Sequence, residues 1–143
     1  ANYNPLNYLN FQLLGSVYQT TGLLGVKDAY SKAVSAYQSA SNLNPLNPGL
    51  KLAMASASFA DGKVKEAKDY ANAALSLKQD YLDALITLSQ IAKSENNNSA
   101  ALSYAQAALA VSPEDKNLIQ YVNSLNNSLS APTATTITPA PKN

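Results

Sequence analysis

The sequence predicts an all-α solenoid of three helix-turn-helix repeats, a C-terminal capping helix and an extended tail, and three observations carry that prediction. Residues 67–77, AKDYANAALSL, return 34 residues later as residues 101–111, ALSYAQAALAV, so that Ala67, Tyr70, Ala71, Ala74 and Leu75 fall on Ala101, Tyr104, Ala105, Ala108 and Leu109. Small and large residues recur at helical spacing within each copy, leaving a small-residue stripe on which another helix can pack. Glycine, proline and asparagine break the periodic stretches at Gly22, Gly25, Pro45, Asn47, Pro48, Gly49, Gly62 and Pro113. A hairpin of two such helices cannot bury both faces alone, so stacked neighbours supply the core.

The elements follow in order. Residues 1–10 are polar with Tyr3, Pro5 and Tyr8, and read as an extended or turning lead-in. A solenoid over 11–129 divides into repeats at about 11–47, 48–81 and 82–115, with a capping helix over 113–129 and a Pro/Thr-rich tail over 130–143. The first helix starts within 6–10 and spaces Phe11, Leu14, Gly15 and Tyr18 helically, Gly15 admitting a close partner. The second, from about 27 to 42, lays Ala29, Ala33, Tyr37, Ala40 and Leu43 on one face. The loop 20–27 between them is about six residues longer than its counterparts, and its Leu23, Leu24 and Val26 are expected to fold down as a small extra turn rather than form a binding loop, because apolar side chains need cover.

In the second repeat Leu50, Met54 and Ala57 face inward, Asp61 and Gly62 close the first helix, and the second helix spans 64–77. In the third, Ala84, Leu85, Leu88 and Ile91 make one inner face and Ala101, Ala105 and Ala108 the other, across a turn at 95–98. Ser112, Pro113, Glu114 and Asp115 read as a helix start, with a capping serine, proline at the first position and acids at the positive end. Leu118, Tyr121, Val122, Leu125 and Leu129 share one side of that last helix, while Lys116, Asn117, Gln120, Asn123, Asn126 and Asn127 cover the other, as a terminal cap requires. From 131 the run APTATTITPAPKN excludes helix and has too few apolar residues for a core.

Composition removes several classes of function. The 143 residues, 46% hydrophobic and 13% charged, suit one compact domain. A net charge of +1 with ten scattered lysines leaves no basic stripe for a phosphate backbone, so no nucleic-acid partner is expected. No run of 18 apolar residues exists, so no membrane span is expected. Histidine and cysteine are absent, which removes the commonest general base, nucleophile and transition-metal ligands; no catalysis, cofactor or metal is expected. The carboxylates sit largely at helix starts and turns, where capping explains them, and Glu95 with the asparagines that follow lacks calcium-loop spacing. Low charge with abundant Asn, Ser, Thr and Tyr favours an extracellular or cell-envelope location, with the cytoplasm as the alternative; a start at Ala1 fits signal cleavage or initiator-methionine removal equally.

Over residues 9–129 the chain resembles the tetratricopeptide-repeat (TPR) family, through Phe11, Leu14, Gly15, Tyr18, Ala33, Tyr37, Ala40 and Pro45 at the signature positions of unit one. Unit two keeps Gly62, Ala67, Ala71 and Ala74 with Gln79 where proline is usual; unit three keeps Leu85, Leu88, Ala101, Ala108 and Pro113, with Ser89 and Ala92 replacing the common Gly and Tyr. More narrowly, NYLNFQLLGSVYQTTGLLGVKDAYSKA looks like TPR segments attached to bacterial multi-spanning envelope proteins of the O-antigen ligase type. The resemblance implies that first helices line a concave groove, here displaying Gln12, Ser16, Gln19, Leu52, Ser56, Phe59, Ile86, Gln90 and Lys93. The TPR domains of chaperone adaptors clamp a terminal carboxylate with Lys, Arg and Asn; only Lys93 could join such a clamp, so an uncharged extended peptide suits this groove better.

Asn97, within ENNNS, satisfies both the general glycan-acceptor pattern and the longer acidic bacterial one, and Asn126 with Ser128 satisfies the general pattern alone. Thr133, Thr135, Thr136 and Thr138 among prolines have the composition of O-glycosylated stalks, or of a plain tail. The expected function is a non-enzymatic protein-interaction scaffold whose partner is another copy of itself: an extracellular filament subunit joined through its termini, the nearly uncharged tail docking on the groove around Leu52, Phe59 and Ile86 of the next copy. The alternative is a peptide- or protein-binding module of the bacterial envelope, free or within a larger membrane-anchored glycan-ligase-type protein.

Overall fold

The computed structural model describes residues 5–130 as seven helices: α1 (Pro5–Leu23), α2 (Ala29–Leu43), α3 (Pro48–Ala60), α4 (Val64–Leu77), α5 (Leu82–Ser94), α6 (Asn98–Val111) and α7 (Lys116–Ser130). No strand occurs among the described residues. Sequential helices pack as three antiparallel hairpins, α1 with α2, α3 with α4 and α5 with α6, each stacked on the next, and α7 covers the last.

Local chemistry sets the boundaries. Asn47 Oδ1 accepts the Gly49 N–H at 2.9 Å and Pro48 opens α3, where a missing N–H costs nothing. After α3, Gly62 at φ 75° lets its N–H reach the Phe59 carbonyl at 3.0 Å while Lys63 N–H reaches Ser58 at 2.9 Å. That pair of bonds ties off the exposed carbonyls at the helix end and needs the left-handed conformation. Asn96 at φ 59° repeats the arrangement one unit later, with bonds to Lys93 and Ala92.

Packing follows one rule from unit to unit. The alanine stripe of each second helix receives the large residues of the next first helix: Ala33, Tyr37 and Ala40 take Leu50 and Met54. Ala71, with Tyr70 beside it, takes Leu88. Ala101 and Ala105 take Val122 and Leu125. Each such side chain removed from water contributes about 1.5–3 kcal/mol. Within unit one, α1 and α2 approach so closely that a Cβ on Gly15 would lie 2.5 Å from the Tyr37 ring. Tyr37 is buried, its hydroxyl donates to Gln19 Oε1 at 2.9 Å, and burial pushes its phenol up from the ordinary range.

Several boundaries differ from expectation. The first helix begins at Pro5, inside the stretch read as lead-in, because proline is favourable in a first turn. Residues 1–4 and 131–143, including most of the expected tail, lie outside the described residues. Leu23, Leu24 and Val26 do not fold down; they are 75%, 79% and 53% exposed. Gly25 at φ 79° and Asp28 at φ 58° turn the chain outward there, and α2 starts at Ala29 instead of 27. The last helix starts at Lys116: Ser112 is spent ending α6, its N–H on the Ala108 carbonyl at 3.1 Å. Asp115 Oδ1 caps α7 instead, accepting from Asn117 and Leu118 at 2.9 and 3.1 Å. Leu129 at the end of that helix is 46% exposed.

Candidate functional site

With no helix before α1 among the described residues, the first unit's surface is built differently from the others. Leu14 holds the register of Met54 and Leu88, which are buried under α2 and α4, yet Leu14 is 42% exposed and Phe11 38%. Phe11, Leu14 and Tyr18 form, with Asp28, Ser31, Lys32, Ser35, Ala36 and Ser39, a cavity of about 400 Å³ on this open end. Lys32 Nζ lies 5.9 Å from the Tyr18 ring, close enough for a cation–π contact. Helical spacing marked Phe11, Leu14 and Tyr18 in the sequence and Gly15 as a point of close approach, and it did not separate covered from uncovered positions.

The nine residues expected to line one groove are divided. Gln12 and Ser16 join Leu9, Leu13, Tyr37 and Ala53 in a cleft of about 300 Å³ between the first two units. Gln19 is committed to Tyr37. Ile86 and Gln90 line a separate cleft of about 190 Å³ with Asp115, Asn117, Leu118 and Tyr121 of α7. Lys93 places its Nζ 5.6 Å from the Tyr121 ring, at the edge of that cleft. Leu52, Ser56 and Phe59 are half-buried and line neither. Tyr121 is anchored by Ser89, whose hydroxyl lies 3.0 Å from the tyrosine hydroxyl and donates to the Ala101 carbonyl at 2.7 Å.

Two ion pairs lie near the turns joining first to second helices. Lys63 Nζ meets Asp61 Oδ2 at 2.9 Å, and Ser31 Oγ from unit one donates to the same oxygen at 3.0 Å. The Lys63 bond and then the Ser31 bond hold the Asp61 carboxyl below its ordinary range. Lys68 and Glu95 pair at 3.0 Å one unit later. Exposed pairs of this kind contribute little to stability; the Ser31–Asp61 bond and the Lys68–Glu95 pair link one unit to the next.

Among the described residues no cluster of His, Cys, Asp or Glu could hold a metal ion, and no helix is long and apolar enough to cross a membrane. Asn97 lies exposed in the turn before α6, its Oδ1 accepting the Ala100 N–H at 3.0 Å. A glycan attached at Nδ2 would leave that cap in place. Asn126 is exposed on α7, and Thr133, Thr135, Thr136 and Thr138 lie outside the described residues.

No family model matches the chain. Human protein O-mannosyl-transferase TMTC1 is 32% identical over 106 residues, which make up 74% of this chain and 11% of that protein; the chain thus spans a small part of that relative. Among solved structures, the first TPR of Spaghetti (RPAP3) bound to the HSP90 peptide SRMEEVD superposes with a TM-score of 0.77 at 20% identity, covering 90% of this chain and 97% of that one. The first TPR domain of human RPAP3 gives 0.76 at 21% identity, covering 88% and 94%. Nothing in these matches bears on the narrower resemblance to O-antigen-ligase-type proteins. The chain has the tetratricopeptide-repeat fold, as three stacked helical hairpins closed by a capping helix.

Proposed function

We propose that the chain is a non-enzymatic protein-interaction scaffold that joins copies of itself into an extracellular filament. The observation that carries this reading is the concentration of uncovered apolar side chains in unit one: Leu9, Phe11, Leu13, Leu14, Val17 and Leu23 are exposed on a first helix that bears no charge, and Leu24 and Val26 on the turn that follows it. A helix apolar on so many sides is normally buried. At the other end of the solenoid α7 turns a polar face outward, so the two ends differ, and a contact between unlike surfaces that does not close into a ring propagates. Light scattering of the purified chain should give masses well above 15.1 kDa that grow with concentration, and a monomer at every concentration would end this reading. Deleting residues 131–143 tests whether the tail takes part in the joint: fibres unchanged in electron micrographs would remove it.

A second reading has its own support. TMTC1 aligns over 11% of its length, so a stretch similar to this chain occurs within a much larger protein, and a peptide- or protein-binding module of a larger envelope protein fits that pattern. The peptide bound by the Spaghetti domain ends in acidic residues and a carboxylate, whereas the concave sites here offer isolated lysines, Lys93 at one rim and Lys32 in the cavity that Asp28 also lines, so an uncharged peptide is the better ligand for this chain. Export carries a further expectation, sugar on Asn97, supported by its exposed position and its acceptor triplet with Asn98 and Ser99. Intact-mass spectrometry of material from the native source should show added mass at that site, and a bare 15.1 kDa chain would dispose of it.

A further inference from the structure

We propose that the exposed turn between α1 and α2 is one half of the joint and that the cleft between α5 and α7 of a second copy is the other half; this rests on the self-association reading and names its contact. The turn is a preformed apolar tip. Leu24 and Val26 donate their N–H groups to the Thr21 carbonyl at 3.1 and 3.2 Å, Gly25 to Gly22 at 2.9 Å and Ala29 to Val26 at 3.3 Å. These bonds fix the backbone before any partner arrives, which lowers the ordering cost of binding. They hold Leu23, Leu24 and Val26 out in solvent, where no side chain among the described residues covers them.

The cleft is the complement at the other end of the solenoid. Its walls are Ile86, Leu118 and Tyr121, and its mouth carries Gln90, Asn117 and Asp115. Charge is complementary too. Beside the apolar tip stand Lys27 and Asp28, and beside the cleft stand Asp115 and Lys93, so each copy offers one cation and one anion against the opposite pair. Capping α7 uses only Oδ1 of Asp115. Because tip and cleft lie on different units of one chain, engaging one leaves the other free, and copies add head to tail.

Leu24→Asp breaks the tip and Gln90→Arg blocks the cleft; both positions are exposed, so circular dichroism should show the helices intact. Where the unchanged chain assembles, each variant alone should run at 15.1 kDa. Mixed in equal amounts, the two should form a species of twice that mass and nothing larger, since each variant keeps the surface the other has lost. Leu24→Asp chains that assemble like the unchanged protein, or a mixture that stays monomeric, would overturn the tip-and-cleft contact while self-association stands. An unchanged chain that never assembles would remove both.

Discussion

Gly15 shows how much one position can decide. With a Cβ there the nearest ring carbon of Tyr37 would be at 2.5 Å, and that ring is buried and bonded to Gln19, so it has no room to yield. Gly15→Ala should therefore cost about 1–3 kcal/mol by denaturant unfolding, although alanine is the better helix former. A variant as stable as the parent would mean that α1 and α2 can separate freely. This contact was legible in the sequence, since glycine in a helical register beside a small-residue stripe has few other reasons to be there. The cap of α7 was not: Ser112 and Asp115 are both good caps, and the bonds that Asp115 Oδ1 accepts from Asn117 and Leu118 show which one serves.

Between elements the same side-chain position has two energetic values. Met54 is fully buried beneath Ala33, Tyr37 and Ala40, whereas Leu14, in the equivalent register, is 42% exposed with no helix over it among the described residues. Met54→Ala should destabilise the chain by about 2–5 kcal/mol, the range for truncating a buried residue. Leu14→Ala, measured on dilute monomer, should cost well under half as much, and equal losses would mean that unit one is covered in solution. The 34-residue register exposed the hairpins and their alanine stripes to sequence reading because α4 and α6 share their alanines, a tyrosine and a leucine at the same positions. It could not show which first helix lacks a neighbour, since burial depends on the element before as well as on the residue itself. Gln12 and Ile86 hold similar places in their units, and each lines a separate cleft against the helix that follows its own hairpin, α3 and α7.

For the molecule as a whole, packing runs from each unit to the next, so stability is close to a sum of unit and interface contributions, with the termini setting what happens at the ends. The α1–α2 turn stands apart from that sum. Four hydrogen bonds within residues 21–29 close it, and a Cβ on Gly25 would touch nothing within 4 Å. In the proposed joint its apolar tip serves contact between copies and contributes hardly at all to whether the chain folds. Side chains at 23, 24 and 26 are free to drift under mutation while the alanine stripes beneath stay fixed, so that related solenoids can acquire separate adhesive identities on one unchanging frame.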